Sequence, residues 1–138
     1  MTTELINRIV NLQDELLSIC GEEVVNDIST ISDMANPERA HNNCGFTSER
    51  AIYALSNHVL PHGLILTYTG IQTPAGNHYA VLVSEECKPK EESVIIDFTA
   101  RQFDSSMPFP LIMDCWEWQV WTESHIGRSG NWYHSYQW

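Results

Sequence analysis

Basic residues are scarce in this chain: seven Lys/Arg stand against 18 Asp/Glu, a formal net charge of −11. So acidic a chain lacks the positive patch that neutralises phosphates, which argues against nucleic-acid binding and against docking on an anionic membrane surface. Long apolar runs are missing as well, so no segment reads as a membrane span. The opening Met1–Val10 carries Glu4, Asn7 and Arg8 and does not read as a secretory signal peptide. The four cysteines, Cys20, Cys44, Cys87 and Cys115, form no Cys-x-x-Cys pair. The expectation is therefore reduced thiols in the cytoplasm, or delivery out of the cell by a route that needs no cleaved signal.

What is present is enough for a packed core. With 138 residues, 43% of them hydrophobic, the chain fits one domain. Leu5, Ile9, Leu12, Leu16 and Ile19 recur at helical spacing and Gly21 ends the run. Val24, Val25, Ile28 and Ile31 predict a shorter second helix, reaching about Met34 and broken at Asn36-Pro37. Residues 1–38 hold eight acids and one base, Arg8. They read as a helical lead-in with a solvated acidic face, or as a docking surface for a basic or immunity partner.

Residues 39–138 read as the core that carries the chemistry. A polar loop, 39–43, leads into a predicted helix from Cys44 to Leu60, with Asn42 or Asn43 as its cap and Pro61 and Gly63 as its stop. After Gly63 the period changes from helical to alternating. Leu64–Tyr68, His78–Val83 and Val94–Phe98 read as adjacent antiparallel strands. Cys115–Trp121 reads as a fourth strand, and Gly130–Trp138 as an edge strand or a packed extended segment. Helices first and strands after predicts an α+β fold.

Three residues in that core suit one reaction. Cys44 falls at a helix start, where the macrodipole and unpaired backbone N–H groups favour thiolate over thiol. The same N–H groups suit the oxyanion of an acyl-transfer intermediate. His78 opens an apolar strand, and an imidazole that titrates near neutrality suits a general base. Asp97 lies among Val94, Ile95, Ile96 and Phe98, where a carboxylate is costly unless a partner such as a histidine N–H satisfies it. Cys, then His, then Asp, on a helix start and two neighbouring strands, is the arrangement a nucleophile, base and orienting group require.

Asn43-Cys44-Gly45-Phe46, Gly76-Asn77-His78 and the stretch Asp97–Asp104 followed by Pro108-Phe109-Pro110 together resemble the papain-like cysteine hydrolase superfamily, and bacterial papain-fold toxin or effector domains in particular. The resemblance covers roughly residues 40–120. It implies a papain-like fold, catalysis by Cys44, His78 and Asp97, a thioester intermediate, and no metal or cofactor. It further implies a protein substrate, with deamidation of a glutamine side chain the favoured reaction. Proteolysis and transglutaminase-like acyl transfer run on the same triad, and a catalytically idle acidic binding or immunity protein is the alternative of a different class. Two features of papain relatives are absent: the Cys-Gly-x-Cys-Trp signature, since Phe46-Thr47 follows Cys44-Gly45, and the upstream oxyanion-binding glutamine. Asn42, Asn43 and Gln102 are the candidates for oxyanion or substrate binding, beside the Cys44 backbone N–H.

Other groupings fit less. His41, Cys44, His58, His62 and Cys87 match no closed tetrahedral zinc spacing. Asp97 with Asp104 is a conceivable carboxylate pair for glycoside cleavage, although Asp104 reads better as the cap of the following turn. Trp116, Trp118 and Trp121 read as core or cleft wall. Arg101 reads as a bridge between the loop and the sheet.

Overall fold

The computed structural model describes residues 2–22, 31–74, 76–86, 92–127 and 132–137. Helix α1 spans Thr2–Glu22 and is followed by a 3₁₀ turn at Ile31–Ala35. The short α2 (Pro37–Ala40) and the longer α3 (Cys44–Val59) come next. Strands β1 (Leu64–Thr73), β2 (Gly76–Glu85), β3 (Val94–Asp97) and β4 (Leu111–Asp114) then build most of the sheet. Helix α4 (Cys115–His125) precedes the last strand, β5 (Trp132–Gln137). The α+β arrangement expected from the sequence is therefore present.

The helical stripe of α1 behaves as its spacing dictates, with Leu5, Ile9, Leu16 and Cys20 buried. On α3 the buried set is Ala51, Ile52, Leu55 and Val59. Val24, Val25 and Ile28 of the expected second helix lie outside the described residues, as does Cys87. The described end of that segment, Ile31–Ala35, is a 3₁₀ turn.

The sheet has the order β4-β3-β2-β1-β5, and all its neighbouring strands run antiparallel. It is longer than the alternation suggested, because β1 and β2 pair continuously from Leu64↔Glu85 to Thr73↔Gly76. Both faces are covered. One face presents Leu64, Leu66, Tyr68, Val81, Val83, Val94 and Ile96 to α1 and α3. The other presents Ala80, Leu82 and Ile95 to Trp118 and Trp121 of α4. Two-sided burial explains why 80–83 and 94–96 read as unbroken apolar runs. Each fully buried Leu, Ile or Val contributes roughly 1.5–3 kcal/mol relative to leaving it exposed.

One element departs from expectation. Cys115–Trp121 is the first part of a helix, not a strand, and the fourth strand is Leu111–Asp114 just before it. Trp116, Trp118 and Val120 alternate with polar residues, which mimics a strand pattern. The cap decides otherwise: Asp114 Oδ1 accepts from the backbone N–H groups of Trp116 and Glu117, at 2.9 and 3.3 Å. Asp114 with Glu117 is the sequence spacing of a capping box. Trp118, Trp121 and Thr122 are buried, which is helical spacing, while Trp116 is 67% exposed.

The face toward α3 is so tight that Gly70 in β1 has no room for a side chain. A Cβ there would lie 2.7 Å from the ring of Tyr79. Tyr79 itself stacks on Tyr68, ring centroids 4.8 Å apart. Gly70→Ala is expected to destabilise the fold by about 1–3 kcal/mol, the usual cost of overpacking. A lowered urea midpoint with unchanged slope checks it; an unchanged midpoint contradicts this packing.

Candidate active site

Three elements converge where the start of α3 meets the start of β2. Asn43 occupies the cap position of α3 but makes no side-chain cap bond; its Nδ2 donates back to the Arg39 carbonyl at 2.6 Å. Cys44 is thus the first helical residue. Its backbone N–H belongs to the first turn, which has no acceptor within its own helix. Gly45 brings this end of the helix close to the sheet, since a Cβ there would lie 3.1 Å from the Tyr68 hydroxyl and 3.2 Å from the Tyr79 ring. The Cys44 thiol accordingly reaches β2, where it donates to the Asn77 carbonyl at 3.7 Å.

His78 and Asp97 lie behind it. Each is only 1% exposed. Asp97 Oδ2 stands 2.7 Å from His78 Nε2. The same oxygen accepts the indole N–H of Trp118 at 2.9 Å. Oδ1 accepts the Thr99 backbone N–H at 3.0 Å, which folds the chain sharply after β3. A carboxylate that accepts from imidazole, indole and backbone stays ionised although buried. Being acceptor-only, it fixes the imidazole proton on Nε2. Nδ1 is left as the basic nitrogen; it is buried, without a well-aligned hydrogen bond of its own, and the Cys44 thiol is its polar neighbour.

The titration of the three groups follows from this geometry. Burial pushes the Cys44 thiol up, but the hydrogen bond and charge of His78, helped by the Tyr79 backbone N–H, outweigh it and leave the thiol below its ordinary value. Burial pulls His78 down, but the Asp97 charge and hydrogen bond, with smaller contributions from Cys44, push it up to about 9. Burial raises Asp97, and His78, Trp118 and the Thr99 N–H more than reverse that. All three shifts favour a thiolate, an imidazolium and a carboxylate side by side, titrating as a unit. Asp97 has a folded pKa below its ordinary 3.8, so its ionisation contributes stability that is complete above that value. That contribution is lost as pH falls through the lower folded pKa.

Aromatic rings wall the imidazole. Phe103 meets it edge-on at 4.8 Å, and Trp118 lies tilted at 5.5 Å. In front is a cleft of about 210 Å³ lined by His41, Asn42, Cys44, Thr73, Gly76, Asn77, His78, Gln102 and Phe103. The structure thus brings Cys44, His78, Asp97, Asn42 and Gln102 together, while the Asn43 side chain turns away to Arg39. Arg101 bridges differently from the expectation: it ties its own loop to the helical lead-in, donating to the Met107 and Ala35 carbonyls at 2.9 and 3.0 Å. Asp104 holds the turn at Ser106 and pairs with His125 at 3.4 Å; its Oδ1 accepts from the Ser106 backbone N–H and hydroxyl. Of the zinc grouping, His41 and Cys44 line the cleft, whereas His58 pairs with Glu15 and lies near His62, ring centroids 6.3 Å apart. No group of three or more metal-binding side chains occurs among the described residues.

Trp118, which reads from the sequence as core or cleft wall, is buried and is also a site residue through its bond to Asp97. The capping-box spacing of Asp114 and Glu117 marks the helix that carries it, but no signal in the sequence pairs it with Asp97. Comparison with protein-family models, with curated proteins and with solved structures gives no match to this chain.

Cys44, whose thiol His78 holds below its ordinary value, should react with iodoacetamide at neutral pH well ahead of the buried Cys20 and of Cys115, which is half-buried like Cys44 itself. An ordinary thiol is only a few per cent thiolate there, so His78→Ala should slow Cys44 labelling on the order of tenfold or more. Equal labelling in wild type and His78→Ala, followed by peptide mapping, would mean that the imidazole does not support the thiolate.

Proposed function

We propose that this protein is an amide hydrolase of the papain-like type that works through a Cys44 thioester, and that its substrate is the side-chain carboxamide of a protein glutamine. The observation that carries the reading is the buried His78–Asp97 pair, with its basic nitrogen turned to a helix-terminal thiol that lines an open cleft. A hydrogen-bonded histidine and carboxylate occur in many cores. A thiol in front of them, lowered in pKa and facing a cleft, is what acyl transfer needs.

The chemistry follows from the protonation states. The thiolate of Cys44 attacks the carboxamide carbon; a C–S bond forms and the carbonyl electron pair moves onto oxygen. The tetrahedral adduct collapses, the C–N bond breaks, and the His78 imidazolium gives the nitrogen its proton, releasing ammonia. Neutral His78 then takes a proton from water as that water attacks the thioester, and collapse returns the thiolate with a glutamate carboxyl. Asp97 stabilises the imidazolium and keeps the ring oriented throughout.

The cleft supports a carboxamide. Among the described residues its lining has no Asp, Glu, Lys or Arg, and three of the lining residues, Asn42, Asn77 and Gln102, carry amide side chains. Its volume, about 210 Å³, is below the range usual for drug-sized ligands and fits a side chain presented by a protein surface. The resemblance of the sequence to bacterial papain-fold domains supports reading such an activity as that of a toxin or effector, acting in the cytoplasm or delivered without a cleaved signal. No described helix is long and apolar enough to cross a membrane.

Mass spectrometry of proteins from cells expressing the chain, against cells expressing Cys44→Ala, tests the reading. Glutamine-to-glutamate conversion confined to the active chain is the expected result. Peptide cleavage would make it a protease, cross-linking an acyltransferase, and no difference would sink the enzyme reading. On the substrate so found, Asp97→Asn should lower activity on the order of 10- to 10³-fold. Activity should fall as pH drops through the lowered Cys44 pKa, and fall again as pH rises through about 9, where His78 loses its proton.

A further inference from the structure

The site as described has one strong donor for a developing oxyanion, the Cys44 backbone N–H at the start of α3. On the 3₁₀ turn at Ala100–Gln102, Gln102 lines the same cleft. Its Oε1 accepts the Asn42 backbone N–H at 3.3 Å. That bond decides which end of the amide is which, because a backbone N–H needs an oxygen. Gln102 Nε2 is therefore the other end, and it is buried without a hydrogen-bond partner. A buried N–H₂ without an acceptor is unusual in a folded protein and calls for an explanation.

We propose that Gln102 Nε2 is the second oxyanion donor of this site, acting with the Cys44 backbone N–H. The inference rests on the acyl-transfer reading above and adds to it the residue that replaces the missing upstream glutamine of papain relatives. A donor kept from water and held in place before reaction is the form that stabilises a transient charge best. The holding is visible on both sides of Gln102. Arg101 latches the turn to the Ala35 carbonyl at 3.0 Å. Asn42, whose N–H grips Oε1, sits in the left-handed region at φ 61°, a conformation that asparagine tolerates better than most residues. The loop that begins with catalytic Asp97 thus also carries the donor: Asp97 orients the base, and five residues on, Gln102 faces the oxygen.

The test uses two small probes on the whole chain. Iodoacetamide alkylates the thiolate by displacing iodide, with no oxyanion formed. p-Nitrophenyl acetate acylates it: the C–S bond forms, the carbonyl pair moves to oxygen, and collapse expels p-nitrophenolate, whose colour is the readout. The ratio of acylation to alkylation rate at Cys44 cancels any change in thiolate population. In Gln102→Ala that ratio should fall on the order of 10²- to 10³-fold, the usual loss for one oxyanion donor. Gln102→Glu keeps the oxygen that holds Asn42 but loses the N–H₂, so its ratio should fall as well. An unchanged ratio in Gln102→Ala, or a ratio restored in Gln102→Glu, would overturn the donor role and leave Gln102 a structural latch. A wild-type Cys44 that is neither alkylated nor acylated faster than glutathione would instead remove the nucleophile itself, and the oxyanion site with it.

Discussion

The hydrogen bond between Asp97 and His78 is the constraint around which the sheet, the last helix and the cleft are arranged. A carboxylate this deeply buried is very costly unless its lone pairs are answered. Three parts of the chain answer them: β2 through His78, α4 through the Trp118 indole, and the turn after β3 through the Thr99 N–H. Removing any one donor leaves a charge short of a partner in a place water does not reach. The consequence is a rigid imidazole with one nitrogen committed and the other turned to the Cys44 thiol at the start of α3.

The division of the sheet into two faces serves the same end. Helices α1 and α3 pack on one face and position Cys44, with Gly45 permitting the close approach of α3 to the Tyr68–Tyr79 pair. Helix α4 packs on the other face and supplies the indole. Cys44 and His78 are therefore held by opposite layers and meet only at the strand end, where the cleft opens. Core packing and site geometry are not separable in such a design. A change at Tyr79 or Trp118 acts on the thiol or the carboxylate through contacts already named.

Much of this was legible in the sequence because the controlling features are local. The spacing of Leu5, Ile9 and Leu16 predicts α1, and the polar loop before Cys44 with Pro61 and Gly63 after it predicts α3. A lone aspartate among Val94, Ile95 and Ile96 asks for a partner whatever the fold. The misread element is equally instructive. Cys115–Trp121 shows strand-like alternation, and aromatic residues favour strands, yet Asp114 and Glu117 mark a helix start that the alternation obscured. What could not be read was long-range: that Trp118 faces Asp97, that Arg101 reaches back to Ala35, and that Gln102 grips Asn42. Those contacts depend on how layers stack, which no spacing within one segment encodes.

The central claim is that His78 is protonated at neutral pH because Asp97 and the Cys44 thiolate flank it. Nitrogen-15 NMR of the labelled imidazole reports this directly, since the two ring nitrogens have near-equal shifts in imidazolium and well-separated ones in the neutral ring. The account requires imidazolium signals through neutral pH, giving way to a neutral ring only as pH approaches about 9. In Asp97→Asn the transition should move to lower pH. A His78 that titrates near its ordinary 6.5 in the wild-type chain would contradict the account, because neither the carboxylate nor the thiolate would then be holding the proton.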